Sequence, residues 1–283
     1  FIGDKTKLAT YNAPRQILYP FGCNASQKRG VENALTHQVS IIQGPPGTGK
    51  TQTILNIVAN LLVQGKSVLI VSNNNSAVEN VAEKLSDKKI GLGFLVAQLG
   101  KKENKEAFVE NQPAVPDISD WELPEWRRTA EEINEKLQIV SKGFEKQTIL
   151  SKLKIEAEAL KIESRYNELQ KRPIVSDFDW LHLKPSRQLL TLKRRYETQI
   201  EQSKKLGTVF YIEWLFRFGF KMWTFLHQSP DVITREIEAA YYTARKNEIE
   251  SEIANCESFL KSIDITENVS ALQDLSLQML KHQ

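Results

Sequence analysis

Two patterns of apolar positions alternate along residues 39–99. Short apolar runs at 39–42, 67–71 and 94–99 predict strands, whereas the stretches 49–62 and 76–85 between them have the periodicity of helices. Strands that alternate with helices are typical of a parallel sheet covered by helices. The pattern therefore predicts an α/β fold for the front of the chain.

The period changes after a proline-rich stretch at 113–124, which no helix is expected to cross. From residue 125, apolar positions recur at alternating steps of three and four, which is typical of a coiled-coil seam. Similar periodicity returns at 187–206 and 232–263, so we expect an antiparallel helical arm. The predicted seam positions are Trp126, Ala130, Ile133, Leu137, Val140, Phe144, Ile155, Ala159, Ile162, Tyr166 and Leu169.

An aromatic segment at 208–226 interrupts the arm. Leu215, Phe218, Met222 and Phe225 fall on one helical face, which we expect to pack against the arm or the front domain. The alternative is a docking patch for a protein partner, or a platform on which bases stack. Three charged residues at four-residue spacing argue against a membrane span here: Glu213, Arg217 and Lys221.

Composition and charge narrow the class of protein. The 283 residues are 41% hydrophobic and 26% charged with a net charge of +3, which is a globular composition. The two cysteines, Cys23 and Cys256, form no C-x-x-C pair, which favours a reducing compartment, cytoplasmic or nuclear. Residues 1–110 contain 13 Lys and Arg against 8 Asp and Glu, so a site for a polyanion is expected there. The first residue is not methionine, which favours a fragment of a longer chain.

A glycine-rich segment follows the first predicted strand and opens the first predicted helix. It matches G-x-x-x-x-G-K-[ST], whose backbone N–H groups cradle phosphates at the positive end of a helix. Lys50 is expected to reach the β and γ phosphates of ATP, and the Thr51 hydroxyl is expected to bind Mg²⁺. The residues of this segment that we expect to bind the nucleotide are Gly44, Pro45, Pro46, Gly47, Thr48, Gly49, Lys50, Thr51 and Gln52.

Gln27 lies seventeen residues before this loop, near the start of another predicted helix. Its amide has one acceptor and two donor hydrogens, which suit adenine N6 and N7. Capping of the helix by Asn24 or Ser26 explains the same local sequence equally well. Both interpretations stay open at this point.

Three asparagines, Asn73, Asn74 and Asn75, follow the second predicted strand. The carboxyl ends of strands in open α/β sheets usually bind ligands, so Asn74 and Asn75 are candidates to contact the phosphates of a nucleic acid. A turn that caps the next helix is the simpler explanation.

These three blocks, in this order, resemble superfamily 1 helicases of the group that contains the nonsense-mediated-decay helicase and senataxin. That family has a glutamine block, a G-P-P-G-T-G-K-T loop and a P-[ST]-N-x-A-V-[DE] block, which here is Asn73-Asn74-Asn75-Ser76-Ala77-Val78-Glu79. The resemblance covers residues 22–100. It implies a partial RecA-like P-loop NTPase domain that binds ATP and Mg²⁺ and contacts single-stranded DNA or RNA.

The resemblance also organises the rest of the chain. With the proline-rich stretch as the boundary, we expect a nucleotide-binding region at 1–112, a linker at 113–124 and a helical insertion at 125–283, where the family commonly inserts an extra module. The aromatic segment of this insertion is the candidate surface for a protein partner. No Asp-Glu pair occurs to supply the second metal-anchoring carboxylate, so we expect the chain alone to bind nucleotide but to hydrolyse it poorly. Two alternatives remain: a coiled-coil ATPase of the chromosome-maintenance kind and a non-catalytic scaffold with a degenerate nucleotide site.

Overall fold

The computed structural model describes residues 8–99, 102–110, 115, 117–169, 176–203 and 206–283. These ranges are mostly helical and contain ten α-helices, with short 3₁₀ helices at Gly93–Leu95, Ser119–Trp121 and Ser176–Leu183. The α-helices are α1 (Ala25–Thr36), α2 (Lys50–Val63), α3 (Asn75–Ser86), α4 (Lys102–Glu110), α5 (Trp126–Leu169), α6 (Ser186–Ser203), α7 (Thr208–Phe218), α8 (Lys221–Leu226), α9 (Pro230–Ser262) and α10 (Ile265–His282).

The chain divides into two compact units. Unit 1 comprises Phe1–Glu145 and Ile263–Gln283, and unit 2 comprises Lys146–Ser262. Unit 1 therefore contains the first turns of α5 and all of α10, in addition to α1–α4.

The expected α/β fold with a parallel sheet is wrong for the described ranges, which contain no β-strand. Within those ranges, β-type backbone pairing is limited to an isolated antiparallel bridge between Thr10 and His37. The apolar runs at 39–42 and 67–71 have no regular structure, because a strand exists only where its N–H and C=O groups pair with a neighbouring strand.

Side-chain exposure gives the same result. A strand inside a parallel sheet is covered on both faces, yet Ile41, Leu69 and Val71 are 88%, 84% and 79% exposed. Val68 and Ile70 pack against the core of unit 1 and line a cavity of about 1000 Å³. The alternation of partly buried and exposed residues is thus present without the sheet that it predicted.

The helices predicted around the phosphate loop are confirmed. The prediction of 49–62 corresponds to α2, which begins after Gly49, and that of 76–85 corresponds to α3. Asn74 caps α3 by accepting a hydrogen bond from the backbone N–H of Ser76.

The core of unit 1 joins helices that are far apart in sequence. Apolar residues of α1, α2 and α3 meet the first part of α5 and the whole of α10. The fully buried members include Leu18, Tyr19, Val31, Leu55, Ala59, Ile133, Val140, Leu272 and Met279.

The predicted seam positions that are buried lie in the first part of α5, in the core of unit 1, and the coiled coil itself stays a prediction. Ile133 and Val140 are fully buried, but Ile155 and Ile162 are 72% and 71% exposed. Leu153 and Leu160 are buried instead, in a cluster with Ile249 and Cys256 of α9. The apolar stripe has shifted by two positions, as happens where a heptad pattern is interrupted. The predicted seam positions 166 and 169 lie outside the side chains that the structure describes.

The aromatic segment forms α7 and α8, which are separated at Gly219, whose φ of +85° favours glycine. Phe218, Met222 and Phe225 of the predicted apolar face are buried in the core of unit 2 together with α6 and α9. Phe216 and Phe220 are about nine-tenths exposed. None of the helices in the described ranges combines the length and hydropathy that a membrane span requires.

Candidate nucleotide-binding site

The phosphate-loop segment turns sharply into α2. Gly47 and Gly49 have φ values of +83° and +80°, a left-handed conformation that glycine adopts without strain. No side chain forms a capping hydrogen bond with the backbone N–H groups in the first turn of α2. The uncapped N-terminus of a helix attracts anions, so this loop stays the candidate phosphate site.

Lys50 reaches back across this loop. Its Nζ donates hydrogen bonds to the carbonyl oxygens of Gly44 at 2.7 Å and Pro45 at 2.9 Å. The Thr48 hydroxyl donates to the same Pro45 oxygen at 2.8 Å. Thr51 follows Lys50 in the first turn of α2 and is partly buried. The lysine charge is thus held at the loop.

Gln27 participates in the cap of α1. Its backbone N–H donates to Asn24 Oδ1 at 2.9 Å, and its Oε1 accepts from the backbone N–H of Asn24 at 2.8 Å. This reciprocal pair is a capping box. The capping interpretation by Asn24 is therefore confirmed.

The same Gln27 side chain contacts the phosphate-loop segment. Its Nε2 donates to Gln52 Oε1 at 2.9 Å and lies 3.3 Å and 3.5 Å from the carbonyl oxygens of Gly49 and Thr48. A Cβ atom on Gly49 would lie 2.0 Å from Gln27 Nε2, so any other residue there would displace the end of the Gln27 side chain. Residues separated by more than twenty positions thus meet in one site.

A row of amide side chains on α2, which we call the amide row, consists of Gln52, Asn56 and Asn60. Four-residue spacing places them on one face of the helix. The Gln52 Nε2 group donates to the carbonyl oxygen of Phe21, next to its contact with Gln27. The row therefore connects the phosphate loop to the segment that leads into α1.

The two asparagines of the amide row bind backbone groups of that segment. Asn60 accepts from Leu18 N–H at 2.8 Å and donates to Leu18 C=O at 2.7 Å. Asn56 accepts from the N–H of Phe21 at 3.1 Å and donates to the C=O of Gly22 at 2.8 Å. Both asparagines are buried, with exposures of 0% for Asn56 and 2% for Asn60. The sequence interpretation missed these residues, although their spacing was visible.

Two titratable groups in this segment are neutral at physiological pH. Burial raises the pKa of the Cys23 thiol to about 12 and raises the pKa of the Tyr19 phenol well above its usual range. Cys23 is therefore a poor nucleophile. Neither group brings a negative charge close to the phosphate loop.

Asn74 and Asn75, which we expect to contact a nucleic-acid strand, both lie exposed at the start of α3. Asn74 Oδ1 accepts from the backbone N–H of Ser76 at 3.1 Å and from its hydroxyl at 2.8 Å. Asn75 lines the cavity of about 1000 Å³, whose lining does not include the phosphate loop.

Comparisons with known proteins identify the family. The model of an AAA domain family matches residues 22–265. The DNA polymerase alpha-associated DNA helicase A of Schizosaccharomyces pombe is 41% identical over 68 residues, which are 24% of this chain and 10% of the relative. The ATP-dependent helicase NAM7 of Saccharomyces cerevisiae is 41% identical over 91 residues, or 31% of this chain and 9% of the relative.

A homologue of the regulator of nonsense transcripts 1 from Arabidopsis thaliana is 48% identical over 64 residues, 22% of this chain and 5% of the relative. The aligned part thus spans a tenth or less of each of these three relatives. No solved structure matches the chain. The family model covers most of the chain, and the chain belongs to this AAA domain family, within the superfamily 1 helicases of the nonsense-mediated-decay helicase and senataxin group.

Proposed function

We propose that this chain is the ATP-binding part of an ATP-dependent DNA or RNA helicase. The observation that supports the proposal most directly is the set of hydrogen bonds between Gln27 and the residues at the end of the phosphate loop. It brings a candidate base-reading amide and a candidate phosphate site together. Relatives named as helicases, including an ATP-dependent one, agree with this assignment.

The triphosphate would be bound by the phosphate loop. The N–H groups at the start of α2 and the Lys50 ammonium would donate to phosphate oxygens, with Lys50 exchanging the carbonyls of Gly44 and Pro45 for the ligand. The Thr51 hydroxyl would be the protein ligand of Mg²⁺, which would neutralise charge on the β and γ phosphates. The remaining loop residues fit this role through their backbone.

Gln27 would read the base. Both hydrogens of its Nε2 point to partners in the protein, and its Oε1 already accepts once from the backbone of Asn24. A carbonyl oxygen has two lone pairs, so Oε1 retains one that can accept from the N6 amino group of adenine. Guanine presents an acceptor, O6, at the equivalent position and would be disfavoured.

Nucleic acid would bind elsewhere in unit 1. Asn74 and Asn75 are exposed, and Asn75 is the residue that matches the third block of the family. We propose that they contact the sugar-phosphate backbone of a single strand. A protein partner on the helical part of the chain is a separate proposal, for which the exposed Phe216 and Phe220 of unit 2 are the candidates.

The adenine assignment predicts a preference for ATP over GTP of about tenfold, which is the expected value of one base-edge hydrogen bond. Gln27→Ala should remove this preference, because the alanine side chain cannot accept from N6. Calorimetric titration of both nucleotides, in excess Mg²⁺, measures the ratio. Equal affinities of the unmutated chain for ATP and GTP would contradict the assignment.

The motor assignment is tested by ATP turnover. For the longer protein to which we propose this chain belongs, turnover should rise severalfold with either single-stranded DNA or single-stranded RNA. Lys50→Ala provides the blank, since background phosphatase activity survives that change. If neither polymer stimulates turnover, the clamp-type ATPase and the non-catalytic scaffold become the better assignments.

A further inference from the structure

The side-chain amides between α1 and α2 form a chain of hydrogen bonds with one possible direction. The carbonyl oxygen of Phe21 can only accept, so the Nε2 group of Gln52 must face it. Gln52 therefore presents Oε1 to Gln27, which must answer with its own Nε2, at 2.9 Å. The other end of the chain is equally determined, because the backbone N–H of Asn24 can only donate and meets Gln27 Oε1.

This directionality determines which atom of Gln27 can face a base. With Nε2 directed to Gln52, the Gln27 amide cannot rotate by 180° without setting two oxygens against each other. Rotation would also set Nε2 against the N–H of Asn24. Both ends of the amide are fixed, so the lone pair left on Oε1 has a defined position.

Asn56, the next residue of the amide row, binds the backbone segment at which this series of side-chain hydrogen bonds starts. Asn56 accepts from the N–H of Phe21 and donates to the C=O of Gly22, so the Phe21 peptide is bound to α2 independently of Gln52. The carbonyl that orients Gln52 therefore has a fixed place relative to the helix that starts at the phosphate loop.

We propose that Gln52 is a positioning residue that sets purine selectivity by orienting the Gln27 amide, without contacting the base itself. This inference rests on the proposed function, since it requires that Gln27 reads adenine. Without Gln52, Gln27 Nε2 keeps only the longer contacts to the carbonyls of Gly49 and Thr48, at 3.3 Å and 3.5 Å. Oε1 still accepts from the N–H of Asn24, but the amide has lost its shortest Nε2 contact and is held less firmly toward a purine.

The test measures affinity for ATP, GTP and inorganic tripolyphosphate with the full chain and two variants, Gln52→Leu and Gln52→Ala. Leucine keeps the size of the side chain and alanine keeps the helix, so at least one is expected to fold; circular dichroism verifies this. The unmutated chain should prefer ATP about tenfold, and both variants should reduce the preference to about twofold or less. Tripolyphosphate affinity should change by less than about twofold, because Lys50 and the loop are left in place.

The outcomes separate this inference from the function on which it rests. Equal ATP and GTP affinities in the unmutated chain refute adenine reading by Gln27, and the inference with it. A preference that survives in the Gln52 variants overturns the inference alone. A parallel loss for all three ligands, tripolyphosphate included, assigns Gln52 a structural role and also overturns it. Gln188→Leu, an identical change at an exposed position of α6, should leave every value unchanged.

Discussion

Lys50→Ala is expected to weaken Mg-nucleotide binding at least tenfold, which corresponds to about 1.4 kcal/mol. Lys50 Nζ already lies within hydrogen-bond distance of two loop carbonyls, at 2.7 Å and 2.9 Å, so its charge is at the loop before any ligand binds. Hydrogen bonds to charged groups contribute about 1.5–3 kcal/mol each, and alanine removes the lysine's contribution to the triphosphate entirely.

Isothermal titration of ATP in excess Mg²⁺ measures this change directly. Lys66→Ala is the matched control. Lys66 is an exposed lysine just beyond the C-terminus of α2, at the opposite end of the helix from the loop. The control should keep the affinity of the unmutated chain. Indistinguishable affinities for the Lys50 variant and the control would exclude this loop as the triphosphate site.

Local signals in the sequence were sufficient to find the phosphate loop and its helices. The glycines at 47 and 49 and the lysine at 50 lie within one short segment, so the motif can be read from the sequence. The buried face of a helix is also visible in the sequence, because its apolar residues recur with a period of 3.6. The cap of α1 by Asn24 was also visible as an open alternative.

The sheet was mispredicted because strand pairing is not local. The alternation at 67–71 is real, with Val68 and Ile70 packed inward and Leu69 and Val71 exposed. Alternation states which side chains are buried but not whether another strand supplies hydrogen-bond partners. The buried face of the second part of α5 was mispredicted for a related reason. It depends on the packing partner α9, against which Leu153 and Leu160 are buried instead of the predicted Ile155 and Ile162.

The two asparagines of the amide row were missed because polar residues on an otherwise apolar helix look like a solvent-facing strip. Asn56 and Asn60 interrupt the apolar run of α2 at the spacing of a buried face. Their partners are backbone groups of the segment 18–22, some forty residues earlier. No side-chain pattern in that segment announces them, so only the folded structure connects the two.

Asn60→Ala should lower the free energy of unfolding by about 3 kcal/mol, because it leaves both backbone groups of Leu18 buried without a partner and each such group costs about 1–3 kcal/mol. Leu18 is 1% exposed, so bulk solvent does not reach these two groups in the folded protein. Urea unfolding followed by circular dichroism measures the change. Asn80→Ala, at an exposed position of α3, is the matched control and should shift stability by less than about 0.5 kcal/mol.

A local measurement separates loss of the amide row from general destabilisation. Hydrogen exchange of the peptide covering 17–22 should accelerate in the Asn60 variant more than that of α6 in unit 2, because the Leu18 N–H loses its acceptor, Asn60 Oδ1. If the two regions accelerate equally, or if the variant is as stable as the Asn80 control, the row does not hold this segment. Selective acceleration at 17–22 would make α2 the common support of the phosphate loop and the segment that carries Gln27 into the site.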